Sequence, residues 1–207
     1  MAKRPTLGLQ MILGGKAFES ERGGNLLQRC LASFRPANLD QVILVDTGID
    51  DAAREAIAYE SDERVRRGLS PIEVYPFTWI SDFAAARNAA LSHCTTDWWC
   101  WADHDDEIQG AEALRKLMDA DRDTGGYFAT YAYAFDEWDN CTTYHDRERI
   151  LRSSVGWEWS GRIHEVLLPK HSLTWKRAED TTWVHKDNGE IKSDRNLPIL
   201  LKWHEDD

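Results

Sequence analysis

The sequence predicts an α/β protein with a Rossmann-like, mostly parallel central sheet flanked by helices and an antiparallel, β-rich C-terminal part. In the first half, short apolar runs alternate with amphipathic segments, as in a chain of strand–helix units. From Tyr127 onward a strand-like alternation replaces the helical spacing. The 207 residues, 42% of them hydrophobic, suit one domain, which we divide into halves at 1–125 and 126–207.

Four strand–helix units are predicted in the first half. QVILV is a continuous apolar run typical of a strand buried on both faces, and Asn25 and Asp50 or Asp51 are residue types that begin helices. Pro36 ends the first helix. The predicted strands are Thr6–Leu13, Gln41–Val45, Ile72–Tyr75 and Asp97–Ala102, and the predicted helices are LLQRCLASF, DAAREAIAYE, Asp82–Ser92 and Ala111–Asp121.

The second half is predicted to begin after a break at Gly125-Gly126. YFATYAYAF and TYHDRERILR flank the turn DEWDN and are expected to pair as antiparallel strands. Further short strands are expected at Glu165–Leu168 and Leu173–Trp175, and a helix containing Pro198 follows. Because that helix lacks a terminal cap, we expect the native chain to continue or a partner to cover its end.

The composition limits the classes of function. A net charge of −11 argues against a broad basic surface for nucleic acid. The chain shows neither a signal peptide nor an apolar run long enough to span a membrane, so a cytoplasmic location is expected. The four cysteines lack CxxC spacing and are interpreted as buried thiols rather than a metal or redox site. Most of the ten tryptophans are assigned to the core, and some to a sugar-binding surface.

The segment Ser81–Glu107 ends in DHDDE, directly after a predicted strand. Ligands of parallel sheets bind beyond the carboxyl ends of the strands, where both Asp46 and this cluster are expected. Clustered carboxylates repel one another unless a cation neutralises them, and a hard divalent metal completes its shell with water and phosphate oxygens. An EF-hand is excluded because Ile108 and Leu114 replace the required glycine and glutamate. The cluster therefore indicates nucleotide or nucleotide-sugar chemistry.

Four segments then resemble the family 2 glycosyltransferases with the GT-A fold: VDTGIDD, DFAAARNAAL, DWWCWADHDDE and GRIHEVL. They occur in the order of that family across about Leu7–Leu201. The resemblance implies transfer of a sugar from a nucleoside-diphosphate sugar, expected to be a UDP-sugar, to an acceptor hydroxyl with inversion and with Mn²⁺ or Mg²⁺ as cofactor. It implies that residues 1–125 bind the nucleotide sugar and that residues 126–207 face the acceptor.

The resemblance also assigns donor-binding roles. It places Asp46, with Thr47, at the nucleotide base or ribose, although Asp46 can equally cap the following turn. Arg87 and Asn88 match the ARN block and are expected to bind the donor, with Arg87 pointing toward the donor or the aspartate loop. Asp103 is expected to contact the ribose or to reach the metal through water. The loop GGKAFESERGG departs from the short family loop that clasps the nucleotide, which leaves the base open.

For the metal and the acceptor, the resemblance makes Asp105 a ligand and gives His185 the place of a histidine that completes the shell. Glu165 of the HE pair is then the expected general base, with Asp136 or Glu137 as alternatives. A structural Glu165 paired with Arg162 or Arg152 is equally compatible with the sequence, and so is a structural His185. His104 is interpreted as a bystander, and Asp106 and Glu107 as a helix cap, a solvated face or a sugar contact.

Two other classes of function remain open at this point. Nucleotidyltransferases also combine an α/β sheet with a carboxylate-bound metal, and GGKAFESERGG with Lys16 faintly resembles their glycine-rich loop. A non-catalytic module that binds sugar nucleotides is the other alternative. The acceptor could be a saccharide, a protein side chain, a lipid-linked intermediate or a modified nucleobase.

Overall fold

The computed structural model describes residues 4–15, 25–120, 123–186 and 193–206. Within these ranges an eight-stranded sheet has the strand order β3-β2-β1-β4-β7-β6-β10-β5, and β8 and β9 form a separate two-stranded sheet. The strands are β1 (Leu7–Gly15), β2 (Gln41–Ile49), β3 (Glu73–Pro76), β4 (Trp98–Trp101), β5 (Asp106–Gln109), β6 (Thr124–Phe135), β7 (Cys141–Arg152), β8 (Trp157–Ser160), β9 (Val166–Pro169) and β10 (Thr174–His185). The helices are α1 (Leu26–Ser33), α2 (Asp51–Arg66), α3 (Phe83–Ser92), α4 (Leu114–Ala120) and α5 (Ser193–Asp206).

The first four strands form the predicted parallel part of the sheet. β2 pairs in parallel with β1 and β3, and β1 pairs in parallel with β4. The helices between them begin at side-chain caps, because Asn25, Asp50 and Asp82 each accept a hydrogen bond from the backbone N–H three residues later. The carboxyl ends of β1, β2 and β4 consequently lie at one edge of the sheet, as the sequence predicts.

The second half is built on the β6–β7 pair, which is antiparallel as predicted. β7 also pairs antiparallel with β4 and so joins the two halves into one sheet. β10 lies parallel to β6 and antiparallel to β5, which places the segment after β4 beside the end of β10. The mixed α/β architecture, mostly parallel with an antiparallel part, confirms the predicted fold class.

The expected break at Gly125-Gly126 is wrong, since β6 runs through both glycines. A Cβ on Gly126 would lie 2.5 Å from a carbon of the Trp175 ring, and one on Gly125 would lie 2.5 Å from the Cβ of Leu173. Both glycines therefore mark the close approach of β10 to β6 and not a turn. The strand expected at Leu173–Trp175 is the beginning of the twelve-residue β10.

Other predictions need smaller corrections. The helix predicted from Ala111 begins with a short 3₁₀ turn before α4, and its last predicted residue, Asp121, lies outside the described residues, as does Lys16 with most of its loop. Pro198 lies inside α5. Of the cysteines, Cys30 and Cys100 are buried, whereas Cys141 is exposed, and all four are free thiols. Burial raises the pKa of Cys100 to about 12. Among the described helices, none combines the length and hydrophobicity needed to cross a membrane.

Candidate active site

The end of β2 is held by its own polar side chains. Asp46 accepts hydrogen bonds from the backbone N–H groups of Gly48 (2.8 Å) and Ile49 (2.9 Å), and Arg54 lies 3.3 Å from its second oxygen. Burial would raise the pKa of Asp46, but these donors more than offset it and the pKa is lowered. Thr47 donates to the carbonyl oxygen of Leu13 at 2.9 Å. Asp46 thus caps the turn, which leaves the donor-binding roles of both residues as predictions.

A buried arginine connects the loop after β4 to the segment before β9. Arg87 of α3 donates from Nε to Glu165 (2.5 Å) and from a terminal nitrogen to Asp103 (2.8 Å). Its guanidinium lies over the rings of Trp101 and Trp159, 4.8 Å and 5.0 Å from their centroids. Burial would lower the pKa of Arg87, but its two carboxylate partners raise it above the ordinary value. The guanidinium is therefore a permanent cation at the floor of the site.

The electrostatics of this bridge fix the charge of Asp103. Burial alone would raise the pKa of its carboxyl, but the charges of Arg87 and Arg149 outweigh that effect and hold the pKa well below its usual range. Asp103 is consequently ionised, and its side chain remains 38% exposed. It is available to a ligand while it is held by Arg87.

Asn88 adjoins the arginine but does not point into the cleft. Its amide nitrogen donates to the carbonyl oxygen of Trp159 (2.8 Å), and its amide oxygen accepts from the backbone N–H of the same residue (2.9 Å). These two bonds fasten α3 to β8 and so position Arg87. The predicted direct contact of Asn88 with the donor remains a prediction, since its amide is engaged by the protein backbone.

A second cluster lies where β5 pairs with the end of β10. One ligand atom each from Asp105, Asp106 and His185 can be chosen so that all three lie within 4.8 Å of one another. Nδ1 of His185 lies 3.8 Å from Asp105 and 3.7 Å from Asp106, distances too long for hydrogen bonds. Ligands held at roughly 2.0–2.3 Å from one ion lie up to about 4.6 Å apart, so the cluster is close to the size of a metal site.

Asp105 gives the strongest sign that the cluster fits a cation. Its side chain is 9% exposed, and none of the hydrogen bonds found among the described residues involves its carboxylate. Burial raises its pKa, and the charges of Asp103 and Asp106 add to that effect against the two nearby histidines. A buried carboxylate of this kind is stabilised by an adjacent cation. The structure thus brings together Asp105 and His185, two of the three residues that the resemblance assigns to the metal, and Asp103 lies in the same loop as Asp105.

Asp106 is the part of the site that the sequence did not reveal. It is neither a helix cap nor solvated, because it begins β5 and is fully buried. Its carboxylate accepts from Tyr131 (2.8 Å) and from the backbone N–H of Asp103 (3.1 Å), and Arg149 lies 3.2 Å away. The Arg149 side chain is itself 1% exposed, and its guanidinium carbon lies 3.8 Å from the centroid of the Trp101 ring. These contacts fix the loop that carries Asp103 and Asp105.

The two candidate bases differ in their surroundings. Glu165 is 14% exposed and pairs with Arg87, not with Arg162 or Arg152 as one interpretation proposed. His164 has a left-handed backbone (φ 53°) and is exposed, whereas Glu165 is partly buried. Asp136 lies in the β6–β7 turn and accepts hydrogen bonds from the backbone N–H groups of Trp138 and Asn140 and from the Asn140 amide. Glu165 therefore faces the site, while Asp136 caps a turn.

Replacing Arg87 with methionine is expected to destabilise the fold as well as the site. The change leaves Asp103 and Glu165 without their cation, and removal of one member of a buried ion pair costs about 3–5 kcal/mol. Because Asp103 is partly solvated, we expect roughly 2–4 kcal/mol here. Urea unfolding at neutral pH measures the loss. An unchanged unfolding midpoint would show that the bridge contributes nothing to stability. The control is Arg54→Met, which removes an exposed arginine from its pair with Asp46 and should change stability by under about 1 kcal/mol.

A comparison with known protein families identifies the chain. The sequence profile of "Glycosyl transferase family 2" matches residues 20–178 of the 207. This chain belongs to glycosyl transferase family 2. The match covers Asp46, the Arg87 bridge, the acidic loop and Glu165, whereas His185 lies beyond its end. The resemblance predicted from the four sequence segments is confirmed.

Solved structures confirm the GT-A fold of this family 2 chain. The mannosyltransferase PcManGT of Pyrobaculum calidifontis, solved in complex with GDP-Man and Mn²⁺, superposes with a TM-score of 0.59 and 14% identity. The match covers 96% of this chain and 62% of that one. TarS 1-349 of S. aureus superposes with a TM-score of 0.55 and 12% identity over 94% of this chain and 63% of that one. At such identities the likeness concerns the fold alone.

A curated relative is closer in sequence but much longer. The TPR repeat-containing protein of Synechococcus elongatus is 37% identical over 96 residues. These residues are 45% of this family 2 chain and 21% of the relative. The chain therefore spans about a fifth of the length of the curated relative that it matches.

Proposed function

We propose that this family 2 domain transfers a sugar from a nucleoside-diphosphate sugar, with a divalent cation, to an acceptor hydroxyl. The observation that carries the proposal is the arrangement at the carboxyl edge of the sheet. Asp105 and His185 lie together at a buried, acidic position, and the bridge from Asp103 through Arg87 to Glu165 lies beside it. Sugar transfer needs a cation site for the diphosphate and a carboxylate for the acceptor, and the Asp105–His185 cluster and Glu165 can supply them.

The donor would bind across the ends of β2 and β4. Asp103 is ionised and half-buried, so it can accept hydrogen bonds from ribose hydroxyls. Asp46, 15% exposed, can accept from a nucleobase N–H, with a UDP-sugar as the finer proposal. Asp105 and His185 would hold Mn²⁺ or Mg²⁺, with Asp106 fixing their loop. When bound, the cation would neutralise the charge of the departing diphosphate.

The acceptor side would be served by Glu165. Only one of its carboxylate oxygens is bonded to Arg87, and no donor in the described residues forms a hydrogen bond to the other. That oxygen can accept the proton of an acceptor hydroxyl as the hydroxyl attacks the sugar. Such a direct displacement inverts the configuration at the anomeric carbon. The pairing with Arg87 orients Glu165, so the two interpretations of this residue are compatible.

The proposal is tested by incubating the protein with UDP- and GDP-sugars, with and without Mn²⁺ or Mg²⁺. We expect slow, metal-dependent hydrolysis that releases the nucleoside diphosphate, and NMR of a transferred product should show the inverted anomer. In a parallel incubation with UTP or GTP and a sugar 1-phosphate, formation of the nucleoside-diphosphate sugar with release of pyrophosphate would instead show a nucleotidyltransferase. Binding without turnover, across all donors and acceptor classes, would show a non-catalytic module. Either result would overturn the proposed function.

A further inference from the structure

Arg147 is a cation in the cleft that the proposed chemistry does not use. It lies on β7 two residues before Arg149, and the guanidinium groups of both residues lie over the Trp101 ring. Its guanidinium carbon lies 5.3 Å from the centroid of the Trp101 ring, the ring that also carries Arg87 and Arg149. Arg87 and Arg149 each lie within 3.2 Å of a carboxylate oxygen, whereas the Glu148 carboxylate beside Arg147 is 3.6 Å away.

The hydrogen-bonding capacity of Arg147 is largely unused. Its Nε is buried and has no hydrogen-bond partner among the described residues. The carboxylate of Glu148 lies 3.6 Å from a terminal nitrogen, beyond hydrogen-bond distance. The side chain is 34% exposed, so part of it is open to solvent while its guanidinium lies over Trp101. An arginine held on an aromatic ring with free N–H groups is arranged to receive a planar anionic group.

The position of Arg147 assigns it to the acceptor half. β7 pairs with β4 as far as Cys100 opposite Ile150, so Arg147 lies alongside the loop that follows β4. In the sheet order, β4 separates β7 from β1 and β2. Asp46 and Thr47 lie near the carboxyl end of β2. Arg147 therefore flanks the acidic loop on the side opposite the nucleotide end.

We propose that Arg147 binds an anionic group, a phosphate or a carboxylate, on the acceptor. This inference rests on the proposed function, since it names the acceptor class of the same site. The chain has a net charge of −11, which would repel an anionic acceptor unless a local cation compensates. Arg147 supplies that cation, since the charges of Arg87 and Arg149 are offset by their carboxylate partners. An acceptor with this group would be oriented by paired N–H donors before its hydroxyl meets Glu165.

The test uses inorganic phosphate as the probe, titrated by calorimetry into protein saturated with UDP and Mg²⁺. Saturation occupies the diphosphate site, so the remaining uptake reports the second anion site. We expect Arg147→Gln to weaken phosphate binding about ten- to hundredfold, the range for a charge-assisted hydrogen-bond pair, and Arg147→Lys to weaken it less. The control Arg177→Gln removes an exposed arginine paired with Asp146 and should leave phosphate binding unchanged.

Three results would overturn the proposal: no phosphate uptake by the wild type, an equal loss in Arg177→Gln, or an equal loss of UDP affinity in Arg147→Gln. The last result would show that Arg147 binds the nucleotide of the sugar donor instead of the acceptor. If the wild type binds no nucleoside diphosphate, the proposed function fails, and phosphate titration without UDP still decides whether Arg147 binds an anion.

A transfer assay identifies the chemical source of the charge. Hexosides are compared with their 6-phosphate and 6-carboxylate counterparts as acceptors. The wild type should prefer one charged form at least about tenfold, and Arg147→Gln should lose that preference with an unchanged KM for the donor. Equal use of charged and neutral acceptors by the wild type would contradict the inference.

Discussion

Replacing Asp105 with asparagine is expected to abolish metal-dependent binding of the nucleoside-diphosphate sugar while the protein remains folded. The amide keeps the shape of the side chain but removes the charge that a hard cation requires. Even changes to groups that only support a metal ligand cost about 10–100-fold in affinity, so loss of a proposed ligand should exceed a hundredfold. Calorimetric titration of UDP and GDP, with and without Mn²⁺, measures the effect.

The same variant should not lose stability in the absence of metal. The Asp105 carboxylate is buried without hydrogen-bond donors among the described residues, so its charge is unfavourable until a cation binds. A metal-free midpoint equal to or above that of the wild type is therefore expected. Glu158→Gln is the matched control, because it removes an exposed carboxylate on β8 and should retain metal-dependent binding. Full affinity at low metal in Asp105→Asn would refute the assignment.

Replacing Glu165 with glutamine is expected to leave donor binding intact and to reduce transfer by about 100- to 10,000-fold, the usual contribution of a general base. Glutamine can still occupy the space beside Arg87, but it cannot accept the acceptor proton. The loss should therefore appear in kcat, with little change in the KM of the donor. Single-turnover transfer and equilibrium binding of the donor separate the two quantities.

Asp136→Asn is the control for that experiment, since Asp136 is the alternative base. Its carboxylate is occupied by the turn, so the change should lower stability only slightly and leave transfer nearly unchanged. If the Asp136 variant loses transfer and Glu165→Gln does not, the base is Asp136 and Glu165 serves only as the partner of Arg87.

The sequence was sufficient to predict the parallel half of the fold because its signals are local. QVILV is buried along its whole length in β2, and the three predicted caps begin α1, α2 and α3. The same locality explains why Asp46, Asp103 and Asp105 were placed at one edge. Each follows a strand of the same parallel group, and the direction of parallel strands decides where they end.

The remainder could not be read from the sequence because it depends on contacts between distant residues. Glu165 and Arg87 are 78 positions apart, and nothing near either one indicates the other as partner. The burial of Asp106 follows from Tyr131 and Arg149, which only the β6–β7 pairing brings to it. The glycines before Tyr127 resembled a break because the ring of Trp175, contributed by a strand about fifty residues later, fills the space above them.

The single guanidinium between Asp103 and Glu165 makes these two carboxylates thermodynamically dependent on each other. Neither has another buried cation as its hydrogen-bonded partner among the described residues, so a perturbation that draws Arg87 toward one weakens its hold on the other. Under the proposed function, binding of the nucleotide beside Asp103 would thereby affect the acceptor beside Glu165 with no movement of the strands. The order in which the two substrates bind would then depend on how Arg87 is shared between Asp103 and Glu165.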